Sequence, residues 1–305
     1  MTLARQILPG KTYLITRRCS QRQFLLRPSD TINQICSFCL FYAAQKYHIQ
    51  VHAFCFMSDH YHLVVTDPEG MLPKFQHWLN AYIAKCINQF LDREENLWTP
   101  GSYSAVRIET EEITASYDIL EKMVYTLTNP VSAGLVRYSF QWPGLWSAPS
   151  SIGKGILKTR RSKKFFHPDG SIPKTASITL VPPPTYSDMP EEAFSKLLRE
   201  KIEEKEKIIH KRFEAEGRTF MGAKKVKAQS CYDRAVSREA KRELNPRIAC
   251  KDKKKRIQVL EDLKQFFSAY RKAWKRYCEG VRDVIFPAGT YKMRVVYGVH
   301  CHSPP

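Results

Sequence analysis

The sequence has no apolar run approaching the roughly eighteen residues that a membrane-spanning helix needs. It also has no P-loop, no nucleotide-binding glycine loop, no zinc finger and no repeat of fixed period. The first residues, MTLARQ, lack the hydrophobic core of a signal peptide. We therefore expect a cytoplasmic protein with no membrane partner.

Cysteine is present but gives no sign of a disulfide framework. The nine cysteines are an odd number, and most of them sit inside apolar segments, as small buried side chains do in a reducing cytosol. Cys36 and Cys39 form one C-x-x-C, but no second pair follows at zinc-ribbon spacing. These cysteines are predicted to be reduced, without a structural zinc.

Basic residues dominate the charge of the chain. It has 49 Lys and Arg against 30 Asp and Glu, which gives a formal net charge of +19 over 305 residues. Such an excess points to a polyanionic partner, nucleic acid first and an anionic membrane surface second. With 43% apolar residues the chain can build a packed core, and its length suits one large domain or two.

The first 150 residues follow an alternating pattern of short β-type and longer amphipathic segments. Strands are predicted at 11–19, 49–57, 60–66 and 102–108, and helices at 31–47, 71–91 and 114–129. The two-residue connection Ser58-Asp59 makes the second and third strands antiparallel neighbours. This order predicts an α+β fold: an antiparallel sheet with its helices on one face and the other face free.

The composition changes after residue 150. Residues 151–185 contain the basic run KGILKTRRSKK and a Pro-Pro-Pro triplet, which indicates a linker with a stiff end. Residues 186–305 are predicted to form a basic and mainly helical DNA-binding region, with long helices at 190–216 and 251–277.

His60 and His62 stand two apart on the third predicted strand, so their side chains point to the same face. Two such imidazoles can ligate one divalent cation, although an isolated His-x-His is more often a surface pair. Tyr125 and Asn129 lie at i and i+4 on one predicted helical face, with Glu121 one turn earlier. A tyrosine beside a bound cation can attack a phosphodiester once local charge or a base favours the phenolate.

Three segments together resemble a known family. Residues 57–65 (MSDHYHLVV) resemble the HUH motif (His, bulky hydrophobic, His) of single-tyrosine transposases, and residues 125–136 (YTLTNPVSAGLV) are similar to that family's nucleophile segment. The segment WPGLWS at 142–147 fits the end of the same domain. The resemblance covers about residues 10 to 150 and is specifically to the REP-associated tyrosine transposases and their insertion-sequence relatives.

The resemblance implies a ferredoxin-like HUH endonuclease domain over residues 1–150. It implies His60 and His62 as metal ligands for Mg²⁺ or Mn²⁺, Asn129 as the third ligand, and Tyr125 as the nucleophile that forms a 5′-phosphotyrosine. Glu121 is the alternate third ligand, and His52 is a more distant candidate. The implied partner is single-stranded or hairpin DNA, bound by a monomer or homodimer.

Two positions depart from the family pattern. Ser58-Asp59 stands where the family usually has Pro-Asn, and Ser132 stands where it usually has Arg. Both dipeptides form turns, so the first change is tolerable. The second removes a DNA contact but no part of the chemistry.

Basic residues interleaved with aromatic ones supply the predicted DNA contacts. The residues predicted to bind nucleic acid are Arg17, Arg18, Arg160, Arg161, Lys163, Lys164, Arg271, Lys272, Trp274, Lys275 and Arg276.

Two alternatives remain open at this point. A rolling-circle replication initiator would use the same chemistry, but such proteins often carry Lys or a second Tyr where Asn129 stands. A non-catalytic nucleic-acid-binding protein, including a domesticated descendant of a transposase, would need the basic surface without the reaction.

Overall fold

The computed structural model describes residues 4–109, 116–236 and 247–303. Its strands are Lys11–Arg18 (β1), Gln50–Phe56 (β2), His60–Asp67 (β3), Ser104–Ile108 (β4), Leu157–Arg160 (β5), Thr175–Ile178 (β6) and Ile248–Ala249 (β7). Its helices are Asp30–Lys46 (α1), Leu72–Phe90 (α2), Ser116–Leu127 (α3), Asn129–Ser132 (α4), Glu191–Ala215 (α5), Ala223–Ala228 (α6), Lys253–Cys278 (α7) and Tyr291–Val295 (α8). The predicted helix start at Thr114 and Ala115 lies outside the described residues.

The main sheet has the strand order β2-β3-β1-β4-β7. The first four strands are antiparallel to their neighbours, while β7 runs parallel to β4. With α1 and α2 as the two connecting helices, β1 to β4 have the strand order of a ferredoxin-like fold, so the predicted α+β class is confirmed. The sequence analysis did not find β7, because a two-residue strand has no alternating pattern.

Helices α1 and α2 pack on one face of this sheet. Ser29 starts α1 by accepting a hydrogen bond from the backbone N–H of Ile32 at 3.2 Å. The face of β3 beneath the helices carries Tyr61 and Leu63, both fully buried. The Tyr61 hydroxyl donates to the Asn80 side chain on α2 at 2.8 Å, which satisfies its only polar group inside the core.

Helix α3 lies against β2 and β3 on the opposite face, which the sequence analysis expected to be free. Its apolar stripe includes Met123 and Leu127, which are buried and would be costly to expose. Helix α5 packs against α3 from the outside. Helices α1 and α2 therefore share one face, and α3 partly covers the face that carries His60 and His62.

The segment predicted as a linker, 151–185, is instead packed structure. Strands β5 and β6 form an antiparallel hairpin that lies on α1. Phe166, between these strands, contacts the ring of Phe38 on α1 with centroids 5.1 Å apart. Ile178 and Leu180 are buried in the same core as the sheet. The linker interpretation relied on charge and proline, and it missed the apolar residues spaced between them.

The region after residue 186 also shares this core. On α5, Phe194, Leu198 and Ile202 are buried together with the residues of the sheet and α1. A separate cluster around Phe286 and Met293 holds the end of α7 and α8 together. The long helices predicted at 190–216 and 251–277 are confirmed as α5 and α7. No helix in the described parts of the chain is long and apolar enough to cross a membrane.

Candidate metal centre and nucleophile

His60 and His62 point to the same face of β3, as their spacing predicts. The two ring centroids are 4.8 Å apart and the rings lie nearly perpendicular. His62 is buried, with 4% of its surface exposed, and His60 is partly exposed. Two imidazoles at this separation on a rigid strand are placed to share one cation.

A neighbouring polar group contacts one nitrogen of each ring. His62 Nδ1 lies 2.9 Å from the hydroxyl of Thr16, its cross-strand partner on β1. His60 Nδ1 lies 2.6 Å from a carboxylate oxygen of Asp59. Hydrogen bonds at Nδ1 leave the Nε2 atoms as the candidate metal-binding nitrogens, which is the common arrangement around metal-ligating histidines.

Asp59 is a further candidate site residue, which the sequence analysis treated only as part of a turn. Its second carboxylate oxygen is 3.9 Å from the Arg22 guanidinium. Burial alone would raise the pKa of Asp59, but the hydrogen bond and charge of His60, with the charges of Arg18 and Arg22, lower it below its ordinary value. Asp59 is therefore ionised at neutral pH and accepts a hydrogen bond from the Nδ1–H of His60. The sequence does contain a signal for this contact, because Asp59 directly precedes His60.

Tyr125 reaches the histidine pair from α3. Its ring centroid lies 5.2 Å from that of His62, and 44% of the side chain is exposed. The end of α3 is fixed next to the sheet because the Trp146 indole N–H donates to the carbonyl of Leu127 at 3.0 Å. The phenol is thus exposed to solvent at one side and in contact with an imidazole at the other.

Asn129 lies beside His62, although the helix is interrupted before it. The helix that carries Tyr125 ends at Leu127, and Asn129 begins the short helix α4 with Pro130 behind it. Its amide nitrogen is 3.4 Å from His62 Nε2. A half-turn of the amide would present Oδ1 to the same position.

These residues fit a divalent cation. Two imidazole nitrogens with an amide oxygen form a mixed N/O set that suits Mg²⁺ or Mn²⁺. Within the described residues, no group of three or more His, Cys, Asp or Glu side chains is placed to hold a metal. Asn129 is therefore the candidate for the third protein ligand.

The alternative candidates are engaged elsewhere. The Glu121 carboxylate pairs with Lys251 at 2.5 Å, and the hydrogen bond and charge of Lys251 outweigh partial burial and lower the pKa of Glu121. His52 is buried, with its nitrogens 2.9 Å from the carbonyl of Val181 and 2.8 Å from the hydroxyl of Thr66. Burial lowers the pKa of His52 to about 4, so it is a neutral core histidine.

The structure separates the predicted DNA contacts Arg17 and Arg18. Arg18 pairs across the sheet with His60 and therefore shares its face. Arg17 lies on the opposite face, with its guanidinium 5.9 Å from the ring of Trp98, and burial lowers its pKa. Of the two, only Arg18 is near the candidate site.

The other predicted contacts lie outside the sheet that carries the histidines. Arg160, Arg161, Lys163 and Lys164 belong to the hairpin region on α1, behind the sheet as seen from the histidines. Arg271, Lys272, Lys275 and Arg276 are exposed on α7. Trp274 is half-buried and stacks on Tyr270, with centroids 6.3 Å apart, so its ring packs against the C-terminal cluster.

Residues 11–117 match the family model described as "Transposase IS200 like". The match covers about a third of the chain and confirms the resemblance to insertion-sequence transposases that the sequence predicts. It includes both histidines and ends before Tyr125.

Two solved structures are similar to parts of the chain. One is a REP-associated tyrosine transposase bound to a REP hairpin, with 19% identity and a TM-score of 0.38 over 47% of this chain and 81% of that chain. The other is a chain from Deinococcus radiodurans R1 described as a candidate transposase, with 21% identity and a TM-score of 0.28 over 35% of this chain and 85% of that chain. No curated protein matches the sequence significantly.

Proposed function

We propose that this protein is a single-strand DNA transesterase of the transposase type, with Tyr125 as its nucleophile. The observation that carries the proposal is the contact of a half-exposed tyrosine ring with His62, which itself contacts His60. The family match of residues 11–117 supports the same reaction class.

The proposed reaction exchanges one phosphoester for another. The Tyr125 oxygen forms a bond to phosphorus, and the bond from phosphorus to the 3′-oxygen breaks. The phenolic proton leaves to solvent, and the departing 3′-oxygen takes up a proton. The products are a 5′-phosphotyrosyl strand and a strand with a free 3′-OH. Attack by another 3′-OH reverses the step without an external energy source.

His60, His62 and Asn129 are the residues that would hold the cation. Held by these residues, Mg²⁺ or Mn²⁺ would polarise the phosphate and would stabilise charge on the leaving oxygen. Asp59 and Thr16 fix the histidine rings through their Nδ1 atoms, so the chain aligns the two Nε2 atoms in advance.

The proposed substrate is single-stranded DNA with a hairpin or palindromic element. The net charge of +19 favours a polyanion. The resemblance of the sequence to REP-associated transposases favours a hairpin near the cleavage site.

The test is covalent capture. Labelled single-stranded DNA from the flanks of the gene is incubated with the protein and Mn²⁺, and SDS-resistant adducts are mapped by peptide sequencing. Wild type is expected to give an adduct on the peptide that contains Tyr125, and Tyr125→Phe none, because the variant lacks the attacking oxygen. Tyr297→Phe removes the hydroxyl of another half-exposed tyrosine and should behave as wild type.

A protein that binds the DNA but forms no adduct in any condition would be a non-catalytic nucleic-acid-binding protein. An adduct that forms and is never rejoined to a second strand would favour a nickase of the replication-initiator type over a transposase.

A further inference from the structure

A cleft of about 850 Å³ opens beside His60. One wall is the turn 57–60, and a second is the end of α4 with Leu135. The third wall comes from the segment 218–236, which lies outside the family-matched residues. The volume is within the range of about 300–1,000 Å³ that ligand sites occupy.

The third wall is held in place by backbone hydrogen bonds. The N–H of Phe24 donates to the carbonyl of Asp233 at 2.9 Å, and the N–H of Met221 donates to the carbonyl of Gly134 at 2.9 Å. The segment 218–236 is therefore attached both to the loop before α1 and to the turn after α4. The cleft has a defined shape that does not depend on side-chain contacts alone.

The chemistry of the lining suits a nucleic-acid strand. Three guanidinium groups line the cleft, those of Arg22, Arg218 and Arg234. Arg22 lies 3.9 Å from Asp59, and Arg218 donates a hydrogen bond to Glu216 at 3.0 Å. Both lining carboxylates are already bonded: Asp59 to His60, and Asp233 to the N–H of Ser230 at 2.9 Å. Tyr232 is 54% exposed and offers a ring for stacking on a base. Cationic groups around an exposed aromatic ring are typical of single-strand binding sites.

The position of the cleft indicates which part of the DNA strand it would bind, the part 5′ or the part 3′ of the scissile phosphate. Tyr125 contacts His62, whereas the cleft is bordered by His60, the other member of the pair. In an in-line displacement the attacking and leaving oxygens lie on opposite sides of phosphorus. The leaving 3′-oxygen would then lie on the side of phosphorus opposite Tyr125, and the cleft is the described cavity beside His60.

We infer that this cleft binds the nucleotides on the 5′ side of the scissile phosphate, with Tyr232 stacked on one of their bases. The inference rests on the proposed function. In this arrangement the segment 218–236 retains the strand that ends in the free 3′-OH, so that this strand remains available for rejoining.

Photocrosslinking tests the assignment. A photoreactive base is placed either just 5′ or just 3′ of the cleavage position in the oligonucleotide that wild type cleaves, and Tyr125→Phe is used to bind it uncleaved. Crosslinks to the peptide that contains Tyr232 are expected only from the 5′ position. Crosslinks from the 3′ position to that peptide, or from the 5′ position only to other peptides, would overturn the inference.

Binding of the cleaved strand gives a second measurement. Tyr232→Ala is expected to weaken binding of the 3′-OH product strand about 5- to 150-fold, the range for loss of one stacked base. Arg234→Ala should also weaken it, and the matched control Tyr297→Ala should not. Equal affinities for all variants would contradict the cleft assignment.

The two proposals fail in different ways. Adducts on Tyr125 together with misplaced crosslinks would remove only the cleft assignment. The absence of any adduct from wild type would remove the transesterase, and the cleft assignment with it.

Discussion

Asp59 lies in a turn, but its carboxylate also contacts the ring of His60 and orients it. The carboxylate lies 2.6 Å from Nδ1, is mostly buried, and is kept ionised by its hydrogen bond with His60 and by nearby arginines. Because it fixes both the tautomer and the orientation of the ring, it is the candidate positioning residue for the proposed metal centre.

We predict that Asp59→Asn weakens Mn²⁺ binding about 10- to 100-fold, since an amide can no longer bind the Nδ1 proton as a carboxylate does. Direct Mn²⁺ titration by electron paramagnetic resonance measures this without relying on activity. Asp188→Asn, at an exposed site, serves as the control. An unchanged affinity in Asp59→Asn would show that the ring is oriented by other contacts.

His52 couples stability to pH. Its pKa is lowered from 6.5 to about 4 in the folded protein, so between these values the unfolded chain binds a proton that the folded chain does not. The free energy of unfolding therefore falls as the pH falls through this window, by about 2 kcal/mol between about pH 7 and about pH 5. Urea unfolding at several pH values measures the slope.

His52→Gln removes this titration, so its unfolding free energy should change less with pH than that of wild type. His77→Gln, at an exposed position on α2, should retain the wild-type slope. If His52→Gln also retained it, the pH dependence would have another origin.

At the scale of elements, the hairpin of β5 and β6 stabilises the side of the sheet away from the histidines. Phe166 is 8% exposed, contacts Phe38, and lies parallel to the ring of Tyr82 with centroids 6.1 Å apart. These contacts tie the hairpin to both α1 and α2. The hairpin thus belongs to the core of the N-terminal region.

Phe166→Ala is expected to lower the free energy of unfolding by about 3 kcal/mol, since it removes a buried ring and leaves a cavity. The control Phe140→Ala, at a side chain that is 72% exposed, should change it by about 0.5 kcal/mol or less. Chemical denaturation measures both. Similar small effects in the two variants would mean that the hairpin is not part of the folded core.

At the scale of the whole molecule, two sets of basic residues lie on different surfaces, one on α7 and the other on the hairpin of β5 and β6. The start of α7 is bound to α3 through Lys251, whose side chain pairs with Glu121 and whose N–H donates to Asp118 at 3.0 Å. Helix α3 carries Tyr125. The basic hairpin lies on the other side of the sheet, behind α1.

We predict that replacing four basic residues of α7 by Ala reduces the salt dependence of single-strand binding more than replacing four on the hairpin. The two sets are Arg271, Lys272, Lys275 and Arg276, and Arg160, Arg161, Lys163 and Lys164. Each lost phosphate contact lowers the slope of log K against log salt by about 0.7. Fluorescence anisotropy at several salt concentrations measures it. A larger change for the hairpin set would place the DNA path behind the sheet.

Local pattern alone predicted much of this fold. Alternating and amphipathic segments located β1 to β4, α1, α2, α5 and α7. Each of these elements buries one face, so its apolar residues recur at the period of a strand or of a helix. The same reasoning failed for β7, which is too short to have a period, and for the hairpin, whose apolar residues are diluted by charge.

The sequence by itself determined that His60 and His62 share one face of a strand, and that the chain carries a large positive charge. Only the tertiary structure decided that Tyr125 contacts His62 and that the segment 218–236 borders the same site. Strand geometry and composition are local properties. Contacts between residues far apart in the chain depend on how whole elements pack, and no local pattern specifies that.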